Sequence, residues 1–118
     1  MEIGETLRVE SVEEWRRWLA AHHADRSEIW LINDRKGPDR RTPDYEDLLD
    51  EAACQGWVDV LVRGLDRRSY LMRWMPRRRG GNWTAINRDR ARRLAAAGRM
   101  TEAGLATLPD DLRAELTS

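Results

Sequence analysis

Cationic, aromatic and glycine residues are concentrated in one stretch, which reads Arg73-Trp74-Met75-Pro76-Arg77-Arg78-Arg79-Gly80-Gly81-Asn82-Trp83-Thr84. Pro76 cannot donate a ladder hydrogen bond and is expected to end a strand, whereas Gly80 and Gly81 let backbone amides approach a ligand closely. Asn82 or Thr84 can cap the helix that follows, so the positive end of its dipole would lie beside the arginines. The stretch predicts either a binding loop for phosphate, sulfate or carboxylate, or a solvated charged loop.

Indole rings on both sides of these cations favour the binding interpretation. Trp74 and Trp83 flank Arg77, and planar guanidinium groups beside indole faces suit an anionic or planar ligand. Asn87 follows Trp83 by one helical turn and could return toward the loop. We therefore expect one pocket for a small anionic or aromatic compound. Its predicted ligand-binding residues are Trp57, Arg73, Trp74, Arg77, Asn82, Trp83 and Asn87.

Two carboxylates, Glu51 and Asp59, are the candidates for acid or base chemistry near this stretch. If a hairpin over residues 57–75 is symmetric, Asp59 faces Arg73 across the strands, where the pair could orient the arginine or only fix the strand register. Glu51 lies on the flank of the preceding helix, either as a solvated carboxylate or facing the cationic loop. The alternative to a binding protein is thus a small enzyme that uses Glu51 or Asp59 as general acid or base, with Arg77 stabilising negative charge.

Capping signals and apolar periodicity predict the elements that position these residues. Ser11 and Glu14 form a capping box that starts a first helix, Thr42 and Pro43 are expected to start a second, and Gly56 can end it. The remaining expected elements are a strand over 28–33, the 57–75 hairpin, a third helix over about 83–97, a short helix from 101, and a short helix or frayed tail over 109–118. We therefore predict an α+β fold with about three short strands and three to four helices packed mainly on one side.

The apolar stripes of the helices predict which side chains face the core. The expected inner positions are Trp15, Trp18 and Leu19 in the first helix, Tyr45, Leu48, Leu49, Ala52 and Ala53 in the second, and Ile86, Arg90, Ala91 and Leu94 in the third. Cys54 is expected to be a small core residue rather than a nucleophile.

Length and charge bound the possible classes of protein. A chain of 118 residues predicts a single domain with one core. Its net charge of +0 hides an asymmetry, because residues 1–59 hold 8 basic and 15 acidic side chains and residues 60–118 hold 13 and 6. The second half could present a cationic surface, and nucleic-acid binding through the arginines of residues 67–93 is a third, less favoured hypothesis.

Three segments between residues 54 and 104, with one near the start of the chain, resemble a known family. They are Cys54-Gln55-Gly56-Trp57-Val58-Asp59, Arg73 to Thr84 followed by Ile86-Asn87-Arg88, Gly98-Arg99-Met100-Thr101-Glu102-Ala103-Gly104, and the opening Glu14-Trp15-Arg16-Arg17-Trp18-Leu19. Over about residues 11–107 the chain resembles the YdeI/OmpD-associated (bacteriocin-protection) family, whose members carry GWIDG-type, TPRRPGSNWSKIN-type and GRMTPAG-type segments in this order. The resemblance implies a role in stress response or antimicrobial resistance and assigns no reaction.

Several classes of protein are disfavoured by what the sequence lacks. A lone cysteine excludes an intrachain disulfide, and with no charged-then-apolar leader and no long apolar run we expect a cytoplasmic protein outside the membrane. There is no Walker loop, dinucleotide glycine fingerprint, histidine-rich metal set or nucleophile elbow. We therefore expect no cofactor and no metal site, and the oligomeric state stays open.

Overall fold

The computed structural model describes residues 2–118. Most of the predicted elements are present in them, with ends shifted by a few residues. In chain order the elements are β1 (Thr6–Leu7), α1 (Val12–His22), β2 (Ile29–Asp34), α2 (Tyr45–Cys54), β3 (Trp57–Gly64), β4 (Ser69–Pro76), α3 (Ala85–Ala96), α4 (Glu102–Leu105) and α5 (Asp110–Thr117). The α+β class is confirmed, with one more strand and one more helix in the described residues than we expected.

The strands form a sheet in the order β1-β2-β4-β3, in which β1 is parallel to β2 and the other two pairs are antiparallel. Alternate residues of the central strands share a face, so that Ile29 lies opposite Trp74 and Leu31 lies opposite Met72. These four side chains are buried in a cluster with Trp15 of α1. The main core therefore lies between one face of the sheet and the helices α1 and α2.

The last helices build a second, smaller core against the end of α2. Its buried members are Ala91 of α3, Leu108, and Leu112 of α5, with Trp83 and Met100 packed against them. Because Leu112 is fully buried, the C-terminal segment is a packed helix rather than a frayed tail.

The hairpin is confirmed, but its predicted register is wrong. Asp59 lies opposite Trp74 instead of Arg73, and beyond an irregularity at Val60 it is Leu61 that lies opposite Arg73. A bulge adds one residue to one strand, and each one-residue shift moves side chains to the other face of the sheet. Asp59 therefore shares the helix-covered face with Trp74, while Arg73 lies on the opposite face.

Two predictions about helix ends and faces are also wrong. The residue that caps α2 is Asp44, because the Thr42 hydroxyl accepts a hydrogen bond from the Asp34 backbone N–H at 2.9 Å instead. Ile86 is 73% exposed. It lies five residues before Ala91, which places it roughly 140° around α3 from the buried stripe.

Tyr45 is likewise not part of the inner face of α2, since 38% of its surface is exposed and only the rest is covered. Its hydroxyl donates to Asp59 on the neighbouring hairpin, at 3.2 Å. The first turn of α2 therefore contacts β3 through a polar pair rather than through an apolar contact.

Candidate functional site

A small cleft opens where the free ends of the β3–β4 hairpin meet α2, α3 and the segment that follows α4. Four of the predicted ligand-binding residues line it, namely Trp57, Arg77, Trp83 and Asn87. Its empty space is about 320 Å³ when open solvent at its mouth is included, but the centre of a water molecule can occupy only about 20 Å³. That is room for about one water molecule. With the side chains as they stand, anything larger must displace part of the lining.

Arg77 forms the cationic part of this lining. Its guanidinium carbon lies 4.0 Å from the centroid of the Trp83 ring, and its backbone N–H donates to the Gly56 carbonyl at 2.7 Å. Within residues 2–118 its side chain has no ion pair and no hydrogen bond. Burial lowers the pKa of the Arg77 guanidinium, and the charge of Asp59 raises it by a smaller amount. A partly buried cation without a carboxylate partner is a favourable place for an anion.

The loop between Arg77 and α3 is held by hydrogen bonds that occupy its amides. The Trp83 indole N–H donates to the Gly80 carbonyl at 2.9 Å, and the Gly80 N–H donates to the Thr107 carbonyl at 3.2 Å. The Thr84 hydroxyl caps α3 by accepting from the Asn87 backbone N–H at 3.1 Å. These two amides, of Gly80 and Asn87, are therefore used within the protein, contrary to our expectation.

The other predicted tryptophans have different roles. Trp57 is buried and lines the cleft, and its indole N–H donates to the His23 carbonyl at 3.2 Å. Trp74 is fully buried in the main core, 5.5 Å from the ring of Trp15, and does not line the cleft. Asn82 is exposed and also lies outside the lining.

Arg73 does not join Arg77, contrary to our expectation. It lies on the sheet face away from α1 and α2, where it pairs with Glu28 at 2.6 Å and lies 5.6 Å from the Trp30 ring centroid. The alternation of side chains along β4 separates it from Trp74. Arg73 therefore covers a buried indole on the far face and is absent from the cleft.

Glu51, one of the two candidate carboxylates, lies in an ion-pair network. It is only 4% exposed and accepts from Arg16 of α1 at 2.7 Å and from Arg99, after α3, at 2.8 Å. It does not line the cleft and does not face the loop at Arg77. Its ion pairs therefore link α2 to α1 and to the segment before α4.

Asp59, the second carboxylate, lies closer to the cleft. It accepts a hydrogen bond from the Tyr45 hydroxyl, and its charge acts on Arg77. Burial, followed by the charge and the hydrogen bond of Asp59, raises the pKa of Tyr45 to about 12. The pair is therefore a neutral phenol donating to a carboxylate beside the cleft.

Arg90 is a residue of the cleft that sequence reasoning placed correctly but did not assign to the site. Its side chain is 9% exposed and pairs with Asp50 and, at 2.7 Å, with Glu46. The Nε atom is buried without a hydrogen-bond partner. The sequence signal for Arg90 was an arginine at an inward helical position, because a buried cation needs carboxylate or hydrogen-bond partners.

Five further lining residues were not assigned to the site, and two of them, Ala53 and Ala91, were expected only as inward helix positions. Gly56 and Met100 lie within the segments that carry the family resemblance, so the resemblance could have indicated them, whereas Thr107 gave no signal. Gly56 adopts a positive φ of 77°. A Cβ there would lie 2.6 Å from the Ala103 carbonyl oxygen, so the close approach of α4 requires glycine.

Residues 2–118 contain no group of three or more His, Cys, Asp or Glu side chains arranged to hold a metal ion. No helix in this range has both the length and the apolar character needed to cross a membrane.

Comparison with known proteins identifies the family. No curated protein and no solved structure matches the chain significantly. A family model described as "Domain of unknown function (DUF8412)" matches residues 7–107. This match covers the sheet, α1 to α4 and the residues that line the cleft, and the chain therefore belongs to the DUF8412 family.

Proposed function

We propose that this DUF8412 protein is a small ligand-binding protein whose cleft takes up a small anionic or aromatic compound. The observation that carries the proposal is the partly buried Arg77 guanidinium, which stacks on Trp83 and has no carboxylate partner within residues 2–118. Nearly all cations that are withdrawn from water in proteins are paired. An anionic ligand would supply the missing partner.

The chemistry of the lining favours a ligand that combines an anionic group with a flat ring. A guanidinium fork binds carboxylate, sulfate or phosphate through two parallel hydrogen bonds, and an indole face accepts a ring by stacking. Because the open space is close to one water molecule in size, the ligand takes the place of the Arg77 guanidinium on Trp83. The guanidinium then turns to the anionic group, and the buried Nε of Arg90 offers a further donor.

A relationship to the YdeI/OmpD-associated family is part of this proposal. Each of the three segments between residues 54 and 104 that carry the resemblance contributes to one cleft, through Trp57, through Arg77 and Asn87, and through Met100. Their convergence on one site favours a shared binding function over a shared scaffold alone. Within that family label, a cytoplasmic protein of this kind would sequester a compound during stress or antimicrobial exposure.

The test is a ligand screen with a matched pair of arginine variants. Tryptophan fluorescence and thermal melting are measured against metabolites and antibiotics that bear carboxylate, sulfate or phosphate groups. A compound that binds should lose at least about tenfold in affinity, roughly 1.4 kcal/mol, in Arg77→Ala. Arg78→Ala removes the neighbouring exposed cation and should leave binding unchanged. Equal affinity in both variants would refute the proposed contact.

A cofactor-independent enzyme is the second candidate, and Asp59 is the observation that favours it. This carboxylate holds the Tyr45 hydroxyl and lies close enough to Arg77 to influence its pKa. Asp59 would act as general base, with Arg77 stabilising negative charge. Glu51 is a weaker candidate for the general base, because arginines engage both of its carboxylate oxygens. Turnover of a bound compound that is lost in Asp59→Asn, with binding retained, would favour the enzyme over the binding protein.

A further inference from the structure

A second and much wider groove lies at the opposite end of the β3–β4 hairpin from the cleft. Arg8 after β1, the 35–41 loop after β2, and residues 67–68 in the hairpin turn line it. The centre of a water molecule can occupy about 410 Å³ of this groove, against about 20 Å³ of the cleft. Its size suits an extended ligand without any movement of side chains.

The strand pairing brings these segments together. Asp34 at the end of β2 lies opposite Ser69 at the start of β4, so the loop after one and the turn before the other are neighbours. The Arg35 N–H donates to the Arg68 carbonyl at 2.8 Å, and the Arg35 Nε donates to the Asp66 carbonyl at 3.2 Å. These contacts hold the loop and the turn, which carry the cations, next to each other.

The groove has a large excess of positive charge. Seven of its eleven lining residues are Arg or Lys, and two, Asp34 and Asp39, are acidic. Asp34 is already engaged, since it accepts from Arg8 at 2.7 Å. In the described residues, four lining cations have neither an ion pair nor a side-chain hydrogen bond. They are Lys36, Arg41, Arg67 and Arg68.

We propose that this groove binds a run of phosphate groups, either a free oligophosphate or the backbone of a single-stranded nucleic acid. One carboxylate or one phosphate cannot contact four cations that line an open groove, whereas consecutive phosphates can. Neutralising clustered Arg and Lys by a polyanion releases condensed counterions, which drives binding at low salt. Arginine forks also match phosphate oxygens in geometry. This site is separate from the cleft and does not depend on its proposed function.

The test compares two probes and two double variants. Binding of sodium tripolyphosphate is measured by calorimetry, and binding of a short fluorescein-labelled oligothymidylate by anisotropy, from about 50 to about 200 mM salt. Arg67→Gln with Arg68→Gln should weaken binding at least about tenfold. For the oligonucleotide it should reduce the slope of log affinity against log salt by about 1.4, at ~0.7 per phosphate contact. Arg17→Gln with Arg78→Gln removes the same charge from exposed sites elsewhere and should change neither quantity appreciably.

The outcomes separate the two sources of phosphate. Binding of tripolyphosphate without the oligonucleotide assigns the groove to a free oligophosphate. Oligonucleotide affinity that rises with chain length assigns it to a nucleic-acid backbone. If Arg67→Gln with Arg68→Gln has a lower melting temperature than the control double variant, then Lys36→Gln with Arg41→Gln is tested in its place. Failure of both probes at about 50 mM salt, or equal affinity in the groove and control variants, overturns the proposal.

Discussion

The Arg77 guanidinium covers the Trp83 indole at 4.0 Å from the ring centroid. Five residues separate the two along the chain, and left-handed Gly80 and Gly81 among them allow the loop to fold back. The indole N–H in turn holds the Gly80 carbonyl. The tryptophan therefore has one edge fixed by the loop and one face covered by a cation, and the proposed ligand would enter at this stack.

A double-mutant cycle should detect this stack. Arg77→Ala, Trp83→Leu and the double variant are compared by urea denaturation, and we expect a coupling free energy of about 0.5–2 kcal/mol, since the cation is partly desolvated. The same cycle with Arg78→Ala supplies the control, because Arg78 is exposed. Coupling no larger for Arg77 than for Arg78 would mean that the stack does not persist in solution.

Local signals in the sequence were sufficient for most of the secondary structure. The Ser11 hydroxyl accepts from the Glu14 N–H at 3.1 Å, and the capping box was readable because it depends only on residues three apart. Gly56 adopts the predicted left-handed conformation for a similar reason. The Thr42 cap failed because a long-range partner, the Asp34 N–H, engages its hydroxyl instead. Local rules hold until a tertiary contact competes.

Pairing across the sheet and between helices could not be predicted in the same way. No residue type in the sequence predicts the irregularity between Asp59 and Leu61. This irregularity nevertheless determines which face of the sheet the side chains on either side of it occupy. Likewise, nothing near Glu51 indicates that Arg16 and Arg99 are its partners. The cleft was therefore only partly foreseen: the loop and helix residues that line it follow from local order, whereas the exclusion of Arg73 follows from strand register.

The Glu51 network predicts a marked loss of stability on neutralisation. Glu51→Gln leaves Arg16 and Arg99 without their shared carboxylate, and we expect the free energy of unfolding to fall by about 2–3 kcal/mol. This is less than for a fully buried pair, because Arg16 is half exposed. Urea denaturation measures the change.

Glu46→Gln is the control for that measurement. Its carboxylate also pairs with an arginine, Arg90, but is mostly exposed, and its loss should change the free energy of unfolding by no more than about 1 kcal/mol. Similar losses in the two variants would show that Glu51 is no more important than a surface charge.

Asp34 predicts a specific dependence of stability on acid. Hydrogen bonds from Arg8, then from the Arg41 backbone N–H, hold the pKa of this carboxyl well below its ordinary value. A carboxyl whose pKa is depressed by folding contributes stability above its unfolded-state pKa, about 3.9, and loses it as the pH falls through the folded-state pKa. Wild-type stability should therefore fall steeply below about pH 4.

In Asp34→Asn that part of the fall should be missing, and the variant should be less stable than wild type at neutral pH. Denaturant titrations across the acid range measure both effects. Asp39→Asn removes an exposed acid from the same loop and serves as the charge control. If the free energy of unfolding fell equally with pH in wild type and in Asp34→Asn, Asp34 would not be the source of the acid-dependent loss of stability.

The Tyr45 phenol predicts a spectroscopic signature for Asp59. Burial raises the pKa of Tyr45 to about 12, with further contributions from the Asp59 charge and hydrogen bond. Asp59→Asn should lower this pKa and leave it above the ordinary tyrosine value, because burial remains. The chain has two tyrosines, so near-ultraviolet tyrosinate titration in a Tyr70→Phe background reports Tyr45 alone.

Glu46→Gln is the comparison, since the charge of Glu46 raises the pKa of Tyr45 by a smaller amount than Asp59 does and Glu46 accepts no hydrogen bond from the phenol. If the pKa of Tyr45 fell as much in Glu46→Gln as in Asp59→Asn, this would argue against the specific hydrogen bond from Tyr45 to Asp59.

Substitution of Gly56 should separate backbone strain from steric conflict. Gly56 and Gly98 both have positive φ, 77° and 71°, so Ala at either position meets the same backbone penalty of about 1 kcal/mol. Only at Gly56 would the new Cβ collide with the main chain, 2.6 Å from the Ala103 oxygen, whereas at Gly98 no atom lies within 4 Å. Gly56→Ala should therefore lower the free energy of unfolding by at least about 2 kcal/mol more than Gly98→Ala.

Since Gly56 also lines the cleft, Gly56→Ala should lower the affinity for any ligand found there, while Gly98→Ala should bind it as the wild type does. Equal destabilisation by the two variants would mean that α4 does not pack against the end of α2 as closely as the structure has it.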